Sequence, residues 1–264
     1  MKTRLDKLIL QHGLAPSRKR AQALVLAGRV LVNEQKIDKA GAFVNDDSAI
    51  RILGEDMPYV SRGGLKLAKA IDHWRMDVRG KVCLDIGTST GGFTDCLLQH
   101  GAARVIAIDT GYGQIDAKLR ADARVRLLEK TNARYLTADQ LWPCGAEHVS
   151  FELVAMDVSF ISATLVLPAV IVCVRAIGGF ELVVLVKPQF EVGREHVGKG
   201  GIVRDAGVQQ MAVERVKATV SELGGGEIEV IDSPILGAEG NREFLLHARF
   251  APEAVRSVAV RYTD

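Results

Sequence analysis

At 264 residues, 48% hydrophobic and 25% charged, the chain is long enough for one full α/β domain and a small accessory domain, and its composition calls for no exotic class. The formal net charge of +2 hides an asymmetry: residues 1–40 carry nine Lys or Arg against three acids, a local +6, while the remainder sums to −4. That imbalance points to an N-terminal module that meets a polyanion, with a merely solvated basic face as the competing explanation. Four widely spaced cysteines (Cys83, Cys96, Cys144, Cys173), with no C-x-x-C and no His at ligand spacing, argue against a zinc site or a disulfide framework. They suit the reducing cytoplasm, as does an N-terminus that runs straight into an amphipathic pattern instead of an apolar signal core.

Residues 4–11 place Leu5, Leu8 and Ile9 on one helical face before Gly13. Ser17 can cap a second helix in which Ala21, Leu24 and Val25 face inward, Arg18, Lys19 and Arg20 crowd the first turn, and Gly28 closes the element. Strands at 30–32 and 49–53, with a turn at Asn33-Glu34, complete a module too small to bury much core alone. Residues 54–60 break the periodicity and read as a linker. From Lys81 onward, strands at 82–85, 105–109, 125–128, 153–157 and 182–186 alternate with helical stretches, the signature of a doubly wound, mainly parallel sheet. The longest uncharged stretch, 158–174, contains Ser159, Ser162, Thr164 and Pro168 and falls short of the roughly 20 apolar residues that a membrane helix needs. It reads as a buried strand end and helix. A helix at 205–223, with Val208, Ala212, Val216 and Val220 at i+4 spacing, precedes strands at 228–232 and 244–250 that form a terminal antiparallel hairpin.

In the first module, Arg4-Leu-Asp-Lys7, Ser17-Arg18 with Ala21, and Ala27-Gly-Arg-Val-Leu-Val-Asn33 resemble the alpha-L RNA-binding domain first described in ribosomal protein S4. The resemblance implies contacts to structured RNA from Arg4, Arg18, Lys19, Arg20 and Arg29. Such cations supply salt-sensitive phosphate binding and register, with little base specificity. Ordinary helix-surface arginines are the alternative.

The segment Leu84-Asp-Ile-Gly-Thr-Ser-Thr-Gly-Gly-Phe-Thr94 follows the first strong strand and opens a helix. Glycines there let backbone approach a ligand, and Asp109, at the end of the next strand, is placed to bond ribose hydroxyls. A dinucleotide site is one reading, but the G-x-G-x-x-G fingerprint is missing, and an acid at Asp85 suits a cationic ligand better than a pyrophosphate. The stretch resembles the first motif of S-adenosylmethionine-dependent methyltransferases. That likeness implies cofactor contacts from Asp85, Gly87, Ser89, Gly91, Gly92, Phe93, Asp109 and Asp157, with Asn132 near the adenine or simply in a turn.

Lys66, Asp157, Lys187 and Glu243 stand at or near element ends where packing does not call for them. In open α/β sheets the ligand crevice lies at the carboxyl ends of the strands, which directs Asp157 and Lys187 toward the cofactor. A plain ion pair between neighbouring strands is the alternative. In this order the four resemble the K-D-K-E tetrad of FtsJ-like ribose 2′-O-methyltransferases. Tyr59-Val-Ser-Arg-Gly-Gly-Leu-Lys66, Asp157-Val-Ser-Phe-Ile-Ser162, Val186-Lys-Pro-Gln-Phe-Glu191 and Gly240-Asn-Arg-Glu243 resemble the TlyA family specifically, whose members were historically named haemolysins and include rRNA cytidine 2′-O-methyltransferases.

A ribose hydroxyl is a poor nucleophile until its proton is removed, and an amine removes it only when neutral. Lys187 is the expected base, Lys66 the neighbouring cation that favours the neutral amine, and Asp157 and Glu243 the groups that orient amines and hydroxyl. The carboxylates favour the ammonium, so the two influences oppose each other. No metal is required, because the sulfonium donor is already activated. The Gly-rich stretch 193–201 reads as a mobile, substrate-facing loop, with Arg62, Arg194 and Lys199 as further RNA contacts.

The expected architecture is therefore an S4-type α+β RNA-binding domain at 1–53, a linker at 54–60, a Rossmann-like methyltransferase domain with a seven-stranded sheet at 61–250, and a tail at 251–264 without a usable motif. The resemblance implies S-adenosylmethionine-dependent methylation of a cytidine ribose in ribosomal RNA within ribosomal subunits, with neither DNA nor membrane as partner. The large subunit is the expected target, because residues preceding Arg4 are so few. A membrane-lytic protein and a non-catalytic ribosome assembly factor are the competing classes.

Overall fold

A computed structural model describes residues 2–53, 57–142, 150–174 and 179–252. Residues 54–56 of the expected linker, Cys144 and residues 253–264 lie outside that set. The chain divides into two compact units, 1–57 and 58–264.

In the first unit, strand β1 (Lys2–Arg4) leads into helices α1 (Leu5–Gln11) and α2 (Arg18–Leu26), followed by short strands β2 (Val30–Val32), β3 (Gln35–Lys36), β4 (Phe43–Asn45) and β5 (Ile50–Ile52). Leu5, Leu8 and Ile9 pack with Ala21, Leu24, Val25 and Val30 into one small core, so the apolar faces expected of both helices do meet. Ser17 caps α2, its hydroxyl accepting from Arg20 N at 3.2 Å. Asn33 and Glu34 both take positive φ (50° and 63°) in the tight turn that joins β2 to β3. Arg4 differs from expectation: it ends a strand paired antiparallel with β4 and does not start the helix. No helical or strand period is visible over three residues, and pairing with a distant segment decides their state.

In the second unit, α3 (Gly63–Trp74) precedes an alternating series: β6 (Val82–Ile86), α4 (Gly92–Gln99), β7 (Arg104–Ile108), α5 (Ala117–Arg120), β8 (Val125–Leu128), α6 (Ala138–Leu141), β9 (Leu153–Met156), α7 (Ala163–Val174), β10 (Phe180–Val186), α8 (Pro188–Glu191) and α9 (Ala206–Glu222). Strands β11 (Gly226–Asp232) and β12 (Phe244–Phe250) close the sheet. Its order is β11-β12-β10-β9-β6-β7-β8, parallel except for β12, which runs antiparallel to both neighbours. The expected seven-stranded, doubly wound sheet is present. Helix α3 was not foreseen, although Leu67, Ala70 and Ile71 bury its inner face at helical spacing.

Alternate strand residues enter two apolar layers. Leu84, Ile86, Ile106, Val154, Met156 and Val184 face one layer with α7 and α9, while Cys83, Val105, Leu153, Ala155, Val183 and Leu185 face another with α3 and α4. Burial on both faces explains why these strands read as nearly continuous apolar runs. The strand order reverses between β6 and β9, and such a reversal opens a crevice at the strands' carboxyl ends. Among the described residues no helix is long and apolar enough to cross a membrane.

Candidate active site

At the reversal point β6 gives way to Gly87 and β9 to Asp157, with Ile86 and Met156 as register partners. Asp157 N donates to Ile86 O at 2.8 Å. Gly87 has φ +87°, and a Cβ there would lie 2.3 Å from the Asp157 carbonyl oxygen, so any side chain would force the two turns apart. The adjoining strand β10 ends at Val186, and Lys187, which follows it, has its amine beside Asp157.

Two cavities open at this edge. The first, of about 400 Å³, is lined by Gly87, Ser89, Asp109, Thr131, Asn132 and Val158, among others. Asp109 accepts from Ser89 N and from Gly111 N, both at 2.7 Å, one bond to each carboxylate oxygen. These backbone donors fix the carboxylate while leaving each oxygen a second lone pair for a ligand hydroxyl. Asn132 caps a short turn, its side chain accepting from Arg134 N at 3.0 Å, and it lines the cavity.

Four of the expected cofactor residues sit elsewhere: Gly92 and Phe93 line only the second of the two cavities, and Asp85 and Gly91 line neither. Asp85 is fully buried and off the wall of either cavity; one oxygen accepts from Thr94 Oγ1 at 2.5 Å and the other has no protein partner. Burial pushes its carboxyl up to about 7. Gly91, with φ +96°, forms the N-cap of α4 behind the wall. Both residues shape the loop from beneath. Strand alternation turns the Asp85 side chain away from the crevice that the next residues line.

The second cavity, of about 330 Å³, is lined by Lys66, Asp157, Lys187 and Glu243 together with Arg62, Gly92 and Phe93. It shares Gly87, Ser89, Asp157, Ser159 and Phe160 with the first, so the two adjoin along that seam. The four polar residues form two pairs. Lys66 Nζ donates to Glu243 Oε2 at 2.5 Å, and Lys187 Nζ lies 2.6 Å from Asp157 Oδ1. The second contact is a close ion pair without hydrogen-bond alignment; the directed bond of Lys187 runs to Ser159 Oγ at 2.7 Å. Each ammonium thus faces its own carboxylate, an arrangement that offsets the desolvation of four nearly enclosed charges.

Several contributors carried no assigned role in the sequence. Phe160 is 90% exposed at the seam, holds φ +64°, and its ring centroid lies 5.4 Å from that of Phe190. A left-handed backbone at a bulky residue costs on the order of 1–2 kcal/mol and persists only where neighbours over-determine it. Here the buried Glu191 carboxylate accepts from Ser162 Oγ at 2.5 Å and from Ala163 N at 2.7 Å, clamping α8 to the start of α7. Asn241 accepts from Val203 N at 3.0 Å and donates to Gly201 O at 2.8 Å, pinning the far end of the Gly-rich loop beside Glu243. The motifs containing Phe160, Glu191 and Asn241 were visible; their mutual contacts span distant segments and left no local signal.

The expected RNA-contacting cations divide. Arg62 lines the second cavity, whereas Arg194 and Lys199 are exposed and line neither. Lys19 is exposed on α2, Arg20 is partly buried there, and Arg29 donates to Leu53 O at 2.8 Å. Arg4 and Arg18 both donate to Asp6, which is fully buried and also accepts from Gln22. Their charges offset a buried carboxylate of the module itself, while their side chains stay 36% and 46% exposed.

Residues 59–250 match the FtsJ-like methyltransferase family, and residues 3–50 match the S4 domain. The chain is 44% identical over 252 residues to a Bacillus subtilis protein provisionally described as an rRNA methyltransferase, YqxC, with 96% of this chain and 87% of that protein covered. Against the 16S/23S rRNA (cytidine-2′-O)-methyltransferase TlyA of Mycobacterium tuberculosis, identity is 42% over 249 residues, covering 94% and 90%. A solved structure of a Streptococcus thermophilus protein, provisionally described as a hemolysin, superposes with a TM-score of 0.70 at 40% identity, covering 96% of this chain and 90% of the other.

Proposed function

Because the chain belongs to the FtsJ-like methyltransferase family and carries an S4 domain, we propose that it methylates the 2′-hydroxyl of a cytidine ribose in ribosomal RNA. Its cofactor is S-adenosylmethionine, which supplies a methyl group already activated as a sulfonium. The 400 Å³ cavity fits that ligand, since it offers Asp109 for ribose hydroxyls and Asp157 beside a cationic group, and Gly87 leaves room for close approach. What carries the reading is the meeting of all four tetrad residues around one cavity that adjoins the cofactor cavity.

The acceptor hydroxyl enters the 330 Å³ cavity. Lys187, neutral at the moment of reaction, takes the hydroxyl proton, and bound S-adenosylmethionine would supply the methyl group, its carbon–sulfur bond breaking so that S-adenosylhomocysteine leaves. Lys66 and Glu243, held to each other, flank the hydroxyl and fix its direction, and Asp157 balances the charge that Lys187 acquires. The enclosing walls would hold the hydroxyl and the cofactor in a fixed mutual direction, and such positioning can supply much of the rate of a group transfer. The exposed ring of Phe160 offers a face on which an unpaired base stacks, and the cations of the first unit hold surrounding RNA by its phosphates. The work takes place in the cytoplasm, with the large ribosomal subunit as the first substrate.

The test is methyl transfer from labelled S-adenosylmethionine to separated ribosomal subunits lacking the modification, with wild type and Lys187→Ala compared and products mapped by mass spectrometry. Transfer to a ribose oxygen that vanishes in the variant is expected. Transfer to a base atom would reassign the tetrad, and absence of transfer by the folded protein would favour a binding factor without catalysis.

A further inference from the structure

Lys187 stands just past the end of β10 with its side chain 10% exposed, and its amine sits on a flexible four-carbon stem. A base must present its lone pair in one direction, and a nearby charge does not supply that. The 2.6 Å approach of Asp157 is unaligned, whereas the 2.7 Å contact with Ser159 Oγ is a directed hydrogen bond. We propose that Ser159 is the positioning residue that orients the Lys187 amine toward the acceptor hydroxyl. This rests on the reading of Lys187 as base.

The geometry of the nitrogen carries the argument. A tetrahedral amine has one bond to its own stem and three remaining directions. Ser159 takes one and Asp157 crowds a second, leaving the third for the cavity that Lys187 shares with Lys66 and Glu243. Ser159 is itself held in place. It lies between Asp157, tied to β6 through Ile86, and Phe160, which has a left-handed backbone and a ring 5.4 Å from that of Phe190, while Ser162 two residues further on from Phe160 is clamped by Glu191. A hydroxyl also suits the task chemically. Being neutral, it accepts an N–H of the amine without adding a second negative charge beside it, and by taking an N–H it leaves the lone pair free for the cavity.

The experiment measures steady-state methyl transfer to modification-free ribosomal subunits by Ser159→Ala, Ser159→Thr and Lys187→Ala of the full chain, with S-adenosylmethionine affinity followed by calorimetry. Ser159→Ala should lower kcat ~10–100-fold with both KM values nearly unchanged, as expected of a misdirected catalytic group. Ser159→Thr, which keeps the hydroxyl, should recover most of the rate. Near-wild-type turnover in Ser159→Ala while Lys187→Ala is dead overturns the proposal and leaves the base assignment standing; activity in Lys187→Ala overturns that assignment itself. Equal damage in the alanine and threonine variants, or a fall in cofactor affinity that accounts for the lost rate, assigns Ser159 to the cavity wall and also overturns the proposal.

Discussion

Lys66 Nζ lies 2.5 Å from Glu243 Oε2, joining the N-terminal part of α3 to the start of β12 across 177 residues of sequence. The two side chains are 10% and 3% exposed, so neither charge has water to fall back on. Removing one partner from such a pair costs about 3–5 kcal/mol, while replacing both by apolar groups is close to neutral. Glu243→Ala should therefore lower the urea midpoint and eliminate turnover. The double variant Lys66→Met/Glu243→Leu should regain most of the stability and none of the activity, which separates the structural from the catalytic contribution of the pair.

Gly237 lies against the same carboxylate. A Cβ at this position would sit 2.5 Å from Glu243 Oε1, so Gly237→Ala should displace the carboxylate without altering its charge. The expected outcome is a ~10–100-fold fall in kcat with S-adenosylmethionine affinity retained, read by parallel kinetics and calorimetry.

Asp109 is fixed by two backbone donors and faces the other cavity. Asp109→Ala removes the hydroxyl acceptor and leaves the Ser89 and Gly111 N–H groups without their partner. S-adenosylmethionine binding should weaken by about 1.5–3 kcal/mol, the range for hydrogen bonds to a charged group, or roughly 10–100-fold in Kd by calorimetry.

Asp85 makes stability depend on pH in an unusual direction. Its carboxyl is raised from 3.8 to about 7 in the fold, so between those values the folded chain holds a proton that the unfolded chain has released. Its favourable contribution is complete below pH 4 and is lost as pH rises through 7, a change on the order of 4 kcal/mol. Asp85→Asn should be less sensitive than wild type over that window, with the largest gain in urea midpoint at pH 8. A constant difference between the two proteins from pH 5 to pH 8 would contradict the burial argument.

Asp6 works in the opposite sense within the first unit. Hydrogen bonds from Arg4, Gln22 and Arg18 hold its carboxyl well below the usual carboxylate range, against the opposing effect of burial. The associated stability is present above pH 4 and is lost as acid approaches the depressed value. Asp6→Ala should destabilise the small core that packs Leu5 and Leu8 on Leu24, and limited proteolysis at neutral pH should cut 1–57 before the remainder. Subunit binding should weaken with it despite the added net positive charge.

The alternation of apolar strands with helices, the glycine loop after Leu84-Asp-Ile and the four polar residues at element ends were all legible in the chain, because strand burial and turn chemistry are written in neighbouring residues. Tertiary structure alone decided which amine faces which carboxylate. Lys66 meets Glu243 only because β12 inserts between β10 and β11, and Lys187 meets Asp157 only because β9 and β10 are adjacent and parallel. It likewise made residues 2–4 a strand through pairing with 43–45, took Asp85 off the cavity wall and turned Arg4 and Arg18 onto a buried acid. The physical reason is one of range. Periodicity records which face of an element is buried, whereas strand order, register and the partner of a buried charge are settled by contacts between segments that carry no mutual signal along the chain.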